Sequence, residues 1–562
     1  MASNQQSKTP RHIVIVGAGA AGMSCAATLA NHPDDFKVTL LEKNSIVGGQ
    51  AMSIPLDQEK YGASWMNNGV QGGSQIFKHT FNYFNQYGFP AQPLALQVSF
   101  GKGPSGFWTN CFPSKLVAQH AADIRRFGLF LNVVKWTMPI FGILPISLML
   151  RLFFFSRDFG DKMVYPLIAL FLGTGNQTAN VPAAIVERLF NDPNMKLWDY
   201  DPDTLLPNQP TMYSFDCLDS FYGKWKDDLI AKGVTIRTNN EVQEVVLRSK
   251  KGVDLVIKNN NNNNNNSDSG DTTTEHFDHL VLCVLADDAL RILGKSATRR
   301  EKLVLGGASF YDDLTITHSD SDYFNKHYET RFKSELCGEP KSEAQCHQIA
   351  SAKGEPASPP QSSSSYSSPS SEQQPDQEQQ QQQQQQQPFN PMYYTYTYQE
   401  DPRLIEMSFN CSNYQHQFKR SKDNTTSSSS PSSSSPAPVY QTIFLDKRKR
   451  DLWTEGAIDE SKIIKRNWWH QLGHRWQHYV RVVPGVMFLQ GRNSTFFAGS
   501  WTLVNMHEVA CISGIAAAYR LGAEYRKFDD FAQDFFVKYL LVSHGKIFSR
   551  EEKKRNKAKK TA

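Results

Sequence analysis

The chain opens on a strand pattern: the apolar run Ile13-Val14-Ile15-Val16 behind His12 stops at Gly17, a second run follows at Lys37 to Leu41, and small helix-forming residues lie between them. This spacing predicts strand, glycine turn, helix and strand. Farther on, Gly233 to Arg237 and Glu241 to Val245 read as strand, turn and strand, followed by the apolar run Phe277 to Val284. Aromatic alternation over Tyr393–Tyr398, Leu404–Cys411 and Val439–Leu445 predicts an antiparallel sheet with one face toward a core or cavity. Thr315 to Asp320 ends another such strand, and Phe496-Phe497-Ala498 is a short buried one. Trp468 to Tyr479 reads as an aromatic helix, with His470, His474 and His478 on one face.

The segment Phe127 to Phe155 is the most apolar part of the chain. Trp136 to Leu150 carries no charge but is broken by Pro139 and Pro145, with Arg125, Arg126, Arg151 and Arg157 around it. A spanning helix needs about twenty apolar residues. Three readings stay open here: a true span, helices lying on a membrane surface, or buried core. A second apolar run, Met163 to Leu172, leads into Gly173.

The first turn carries chemistry. Gly17, Gly19 and Gly22 stand in a G-x-G-x-x-G spacing directly after a strand, and Glu42 follows Gly22 by twenty residues. Gly17 permits a tight turn, Gly19 lets backbone approach a pyrophosphate, and Gly22 lets the helix pack close to the strand. The helix N-terminus receives phosphate charge. Glu42 accepts hydrogen bonds from a ribose diol and would repel a 2′-phosphate, which disfavours NADP. The expectation is a dinucleotide site.

Past the acid, Ile46-Val47-Gly48-Gly49-Gln50-Ala51-Met52-Ser53 resembles the flavin-containing amine oxidase and phytoene desaturase superfamily, as does Phe497-Ala498-Gly499-Ser500-Trp501 with the later Ser513-Gly514-Ile515-Ala516-Ala517-Ala518. The resemblance covers about residues 11–75, 230–295 and 485–525. It implies FAD rather than NAD, held by the N-terminal fingerprint and by a C-terminal return of the chain, with a Ser-Gly-opened helix near the flavin N1–C2=O edge. Gln50 stands where the family often has a basic residue, and Ser500 where it often has an acid. No cysteine matches the family's covalent attachment position, so the flavin is expected without a covalent link.

The implied fold is α/β: a FAD-binding Rossmann-type domain from discontinuous segments (11–80, 229–300, 485–545) with an inserted α+β substrate domain (81–228, 301–337, 391–484). Fingerprint and resemblance together name Gly17, Ala18, Gly19, Ala20, Ala21, Gly22, Glu42, Lys43, Gly48, Gly49, Gln50, Asn67, Val242, Gly499, Ser500, Ser513 and Gly514 as cofactor-binding residues. Asn67, Asn68 and Gln71 lie in a Gly- and amide-rich stretch, either a polar loop or amides reaching the flavin ring.

Composition removes length rather than adding function. Eight Asn at 259–266, the Ser, Pro and Gln of 338–390 and the Ser and Pro of 421–438 cannot bury a core and are expected to be disordered loops. The Asn run is expected at a hairpin tip between Val253–Lys258 and Phe277–Val284. A net charge of +5 over 562 residues implies no nucleic-acid surface, although 546–562 forms a basic tail that an anionic membrane could attract. The eight cysteines show no metal spacing, no metal is expected, and no secretory signal precedes His12. A cytoplasmic chain, with peripheral membrane contact open, fits these features.

The function expected from the resemblance is FAD-dependent oxidation, with hydride passing from a substrate carbon to the flavin. The substrate is a small molecule, an amine or a lipid-like chain. A fatty-acid or polyene desaturase or isomerase is the neighbouring alternative, and a non-catalytic flavin-binding protein is the rival from another class. No catalytic residue is fixed by the sequence. Trp501, His507 and Glu508 are the candidates, with a helix cap and its charge partner as the other reading of the last two. His318 reads as a structural histidine or a base near substrate.

Overall fold

The computed structural model describes residues 9–138, 140–173, 175–260, 272–355, 387–418 and 435–548. Arg11–Val16 lies at the centre of a five-stranded parallel sheet ordered Thr235–Arg237, Phe36–Leu41, Arg11–Val16, His279–Leu282, Thr495–Phe497. Ile13 and Ile15 enter a core shared with the helices Ala20–Ala30 and His507–Leu521. Val14 and Val16 enter a second core beneath the meander Asn240–Ser249, Gly252–Asn259, Thr272–Phe277. Burial on both faces explains why the strand is continuously apolar rather than alternating.

The two helices pack backbone to backbone. A methyl group at Gly514 would stand 2.0 Å from the Ala21 carbonyl oxygen and 2.4 Å from Ser24 Oγ, and one at Gly22 would stand 1.9 Å from the Gly17 oxygen. Ser24 Oγ donates to the Cys511 carbonyl at 2.9 Å. The parallel sheet thus takes strands from both ends of the chain and from its middle, and the segments between them build the other sheets. The helix Leu218–Ala231, which the sequence division left mostly in the substrate segment 81–228, packs against Ala20–Ala30 and feeds Thr235–Arg237. It therefore belongs to the parallel-sheet layer.

The substrate domain is built on a seven-stranded sheet ordered Ile463–Leu472, Phe310–His318, Tyr440–Phe444, Ile405–Asn410, Tyr393–Thr397, Val98–Phe100, Trp108–Thr109. Its pairs are antiparallel except Tyr393–Thr397 beside Val98–Phe100. The alternating aromatic runs are these strands.

Four expectations change. The histidine-rich segment is not one helix. Ile463–Leu472 is a strand, with Trp469 buried and Trp468 exposed in the period of two that a strand imposes, and His478–Val482 is a π-helical turn. Second, the run Phe277–Val284 divides. Thr272–Phe277 closes the meander, and His279–Leu282 joins the parallel sheet, so the Asn-run hairpin pairs Gly252–Asn259 with Thr272–Phe277. Residues 261–266 of that run lie outside the described residues.

Third, part of 338–390 is ordered. Ser342 caps the helix Glu343–Lys353, and Ala352 and Phe389 pack with Phe107, Phe112 and Leu336. A few apolar residues at the edges of the Ser- and Gln-rich tract suffice to dock it. Residues 356–386 and 419–434 lie outside the described residues, as do 549–562 of the basic tail, whereas Phe548 is buried against Tyr519, Tyr525 and Phe536. Fourth, Phe127–Phe155 is divided between the helices Ala121–Trp136 and Ile146–Leu152. No helix among the described residues is long and apolar enough to cross a membrane.

The glycine contact makes a direct prediction. Gly514→Ala should lower the unfolding free energy by roughly 1–3 kcal/mol, because the methyl meets backbone that cannot rotate away. Urea melts measure this, and an unchanged midpoint would mean the two helices stand farther apart.

Candidate dinucleotide cleft and adjoining cavity

The glycine turn sits where the central strand ends. Gly17 has φ +100°, and a Cβ there would lie 2.6 Å from the Cys283 carbonyl oxygen, so only glycine fits. Gly19 is the N-cap of Ala20–Ala30, and no side chain caps that helix. Its first-turn N–H groups therefore remain for an anionic ligand. The Gly48 N–H donates to the Ala18 carbonyl at 2.8 Å and runs the second glycine pair alongside the first. A Cβ on Gly49 would press to 3.2 Å from the Gly19 Cα, so this cradle is kept open by absent side chains.

Glu42 ends the adjacent strand, buried to 6 % exposure. Its Oε2 accepts from the Ala18 N–H at 2.8 Å, and its Oε1 accepts from the Asn44 N–H and Nδ2 at 3.0 and 2.9 Å. These bonds fix the carboxylate: Oε1 is filled by its two donors, while Oε2 keeps one acceptor site for a ribose hydroxyl.

A cleft of about 680 Å³ runs along this edge. Gly17, Gly19, Ala20, Ala21, Glu42, Lys43, Gly48, Gly49, Gln50, Val242, Gly499 and Ser500 line it. Ala18 and Gly22 stand behind it, orienting Glu42 and closing the helix onto the strand. Three further expected ligands do not line it either. Asn67 is fully buried, accepts from Ser53 Oγ at 2.7 Å, and donates to the Phe215 and Asp216 carbonyls. Its stretch is not a loop but the strand Trp65–Gly69 paired with Ala51–Pro55, which turns the amide inward. Ser513 and Gly514 lie within the helix His507–Leu521 rather than opening it. Ser513 Oγ accepts from the Gly499 N–H at 2.8 Å, so it aims the return turn from behind. The helix end nearest the cleft is at His507.

A second cavity of about 230 Å³ adjoins the cleft. Gln50, Val70, Trp469, Asn505, Met506 and His507 line both. Its walls are mainly apolar, with Leu170, Leu172, Met212, Met407, Ile443 and Leu445 among them, and among the described residues no Asp, Glu, Lys or Arg lines it. Gln71 also lines it, and Asn68 lies behind, accepting from Gln441 Nε2 at 2.7 Å.

The three catalytic candidates separate. His507 faces the junction. Its Nε2 lies 2.6 Å from the Tyr222 hydroxyl and its Nδ1 lies 3.0 Å from Thr80 Oγ1, while burial lowers its pKa to about 4. It is neutral at physiological pH. Trp501 lines the cleft with its indole N–H donating to the Val284 carbonyl at 2.9 Å. Glu508 lines neither space. It accepts from the His79 and Thr80 N–H groups at 3.0 and 2.8 Å, and from His79 Nδ1 at 2.7 Å. Those N–H groups belong to the first turn of the helix Lys78–Tyr87, so Glu508 caps that helix from across the fold. His318 is buried against Thr442, outside both spaces.

Tyr222 and Trp469 are junction residues that the sequence reading missed. Tyr222 carries no local signal, because its role depends on a partner far along the chain. Trp469 was hidden by the helical reading of its segment, because only the strand turns it inward and Trp468 outward. The three histidines also part: His470 lies 2.7 Å from both Asp287 and Asp312, whereas His474 and His478 are buried. Among the described residues no group of three His, Cys, Asp or Glu is placed to hold a metal ion.

Comparison with known proteins agrees with this geometry. Residues 15–87 match an NAD(P)-binding Rossmann-like domain. An 84-residue stretch is 33 % identical to an L-amino-acid oxidase of Naja atra, covering 15 % of this chain and 16 % of that protein. Each of these two matches covers only a short part of the chain, and solved structures share the wider fold. A fatty acid isomerase of P. acnes superposes with a TM-score of 0.52 at 13 % identity, covering 92 % of this chain and 99 % of that one. A putrescine oxidase gives 0.53 at 11 %, with the same coverages. A putative protoporphyrinogen oxidase from Exiguobacterium gives 0.51 at 12 %, covering 93 % and 99 %. At these identities the solved structures speak for the fold.

Two outcomes follow from the cleft. Glu42→Ala removes a buried charge-assisted acceptor, worth about 1.5–3 kcal/mol, so dinucleotide should bind roughly ten- to a hundredfold more weakly in a fluorescence titration. Equal affinity would place the ribose elsewhere. The second concerns pH. Burial depresses His507, His478 and His318 from the ordinary 6.5 to about 4. The unfolded chain therefore binds more protons inside that window, and stability present above 6.5 should fall as pH drops toward 4. Glu406, which burial raises to about 7, opposes this over part of the window. Denaturant midpoints on either side of the window are therefore compared with those of Glu406→Gln, and a profile flat in both would contradict neutral burial.

Proposed function

We propose that the chain is an FAD-dependent oxidoreductase acting on an apolar, lipid-like chain. The observation that carries this reading is the junction of a dinucleotide cleft with a second cavity walled by Leu, Ile, Met and aromatic side chains. The glycine cradle fits a pyrophosphate, and the groups present would divide the cofactor among them. Glu42 would hold the adenosine ribose, and Val242 would border the adenine. The open N–H groups of Ala20 and Ala21 would meet the phosphates, and Gly48, Gly49, Gln50 and Trp501 would border the ring end. Bound there, FAD would supply hydride acceptance from a substrate carbon.

The protein's contribution is alignment and dryness. Trp469, Met506 and His507 form the seam between cofactor cleft and cavity, so a substrate carbon held by the apolar walls would face the ring. His507 is uncharged, held between Tyr222 and Thr80, and offers no permanent ion pair to a substrate. An ammonium group entering this cavity would lose its water with no carboxylate to replace it. An alkyl or alkenyl chain loses nothing comparable and gains burial. This chemistry supports a lipid-like substrate over a charged amine, in line with the alternative of a desaturase or isomerase.

The test begins with the purified protein's spectrum. A yellow protein should release FAD, identifiable by mass spectrometry, on acid precipitation. Anaerobic addition of a polyunsaturated fatty acid should bleach the flavin, or give conjugated-diene absorbance without net bleaching if the double bond only moves. Bleaching by a primary amine and not by the fatty acid would overturn the apolar assignment. A colourless protein without bound flavin would overturn the cofactor.

A further inference from the structure

The segment Phe127–Phe155 has two faces that differ in kind. Its inner face, with Phe127, Phe130, Leu131, Val134, Ile146 and Met149, is core at 2 % exposure or less. Its outer face carries eight exposed large apolar side chains between positions 129 and 154. Trp136, Ile140 and Phe154 are the extremes, at 82, 67 and 85 % exposure, beside Leu129, Phe141, Ile143, Leu148 and Leu152. Scattered apolar side chains on a surface are ordinary, but a cluster of this density on one helical hairpin is a mark of interaction.

The hairpin is held in this posture. Ile146 N–H donates to the Val181 carbonyl at 2.7 Å, Ala183 N–H to Leu144 at 2.9 Å, and Ala184 N–H to Gly142 at 2.8 Å. The tip cannot fold inward without breaking these bonds. Arg126 donates to the Phe153 and Phe154 carbonyls, and Phe154 occupies the left-handed region at φ 56°. A bulky residue held there is strained, and the strain keeps its ring in solvent.

Charge selects the partner. Between positions 124 and 157 the sequence has no Asp or Glu but five cations. The flanking Arg125, Arg126 and Arg157 pair with Asp203, Asp123 and Asp161, which leaves Lys135 and Arg151 as the cations beside the crown. Four of these five are exposed and Arg126 is half-buried. A Trp, Phe and Ile crown ringed by arginine and lysine matches the interface of an anionic bilayer, apolar tips entering the acyl boundary and cations staying with the phosphates. We infer that this hairpin docks the protein reversibly on an anionic lipid surface. The docking is peripheral, and it stands whichever substrate the inner cavity takes.

The test uses the full chain and vesicles of phosphatidylcholine with or without phosphatidylserine. The wild type should float with the phosphatidylserine vesicles at low salt, weaken at high salt, and bind phosphatidylcholine alone less well. The quadruple variant Trp136→Ser, Ile140→Ser, Phe141→Ser, Phe154→Ser should lose on the order of a hundredfold in partitioning. Its melting midpoint and flavin content should match the wild type, because those side chains are outside the core. Lys135→Gln and Arg151→Gln should each cost roughly fivefold at low salt. A variant that unfolds would leave the charge substitutions as the deciding measurement, and salt-insensitive binding by them would overturn the inference. So would a wild type that ignores phosphatidylserine vesicles, or a dimer in sedimentation that the four serines dissociate, which would make the patch a subunit interface.

Discussion

The approach of Gly514 to the Ala21 carbonyl is the contact on which the remaining architecture depends. It joins helices from opposite ends of the chain at a distance no side chain allows. Once that contact forms, the strand Thr495–Phe497 can complete the parallel sheet, and Gly499 to Trp501 can reach the cleft begun by Gly17 to Glu42. Between them Thr235–Arg237 and His279–Leu282 also join the sheet, so the chain leaves it and returns more than once, and the second cavity lies against the seam. Such a contact has a very large sequence separation, so it forms late and is rewarded only when both halves are in place.

The junction is chemically quiet, and this quietness is informative. Among the described residues no ionised side chain lines the inner cavity, and burial lowers the pKa of the histidine at the seam to about 4. Acid–base enzymes gather perturbed carboxylates and histidines at the reacting centre to place charge near it. Here the carboxylates that burial raises lie elsewhere. Asp313 and Glu406, both pushed upward by burial, sit in the sheet outside both spaces. A site that excludes charge suits a reaction in which a cofactor does the chemistry and the protein supplies shape.

This division explains what was legible in the sequence. The glycine turn, Glu42, the paired Gly48 and Gly49, and the strand before Gly499 are local backbone requirements, so they leave a local signature, and all of them fall on the cleft or directly behind it. The alternating aromatic strands were legible for the same reason. Tyr222, Trp469 and Thr80 were not, because each matters through one side chain meeting another hundreds of residues away. The misreading of Trp468 to Tyr479 has a simpler cause. Aromatic and histidine residues carry little helix preference, and the exposed and buried alternation of Trp468 and Trp469 was the better guide. Asn67 drew attention by composition, as an amide near a glycine-rich turn, yet in its two-stranded ribbon the amide is taken up by Ser53 Oγ and the Phe215 and Asp216 carbonyls.

The neighbours His507 and Glu508 show how one residue of a pair can act through the other. Glu508 accepts from the Thr80 N–H at 2.8 Å, and the hydroxyl of the same Thr80 lies 3.0 Å from His507 Nδ1. The carboxylate therefore sets the start of the helix Lys78–Tyr87, that helix sets the threonine, and the threonine with Tyr222 sets the plane of the imidazole at the seam. A buried carboxylate satisfied by two N–H groups and a histidine is costly to disturb, which makes it a stiff anchor for an uncharged ring that has no ion pair of its own. The residue that looked most chemical in the sequence is the one that positions, and the ring it positions is the one that faces the cavities.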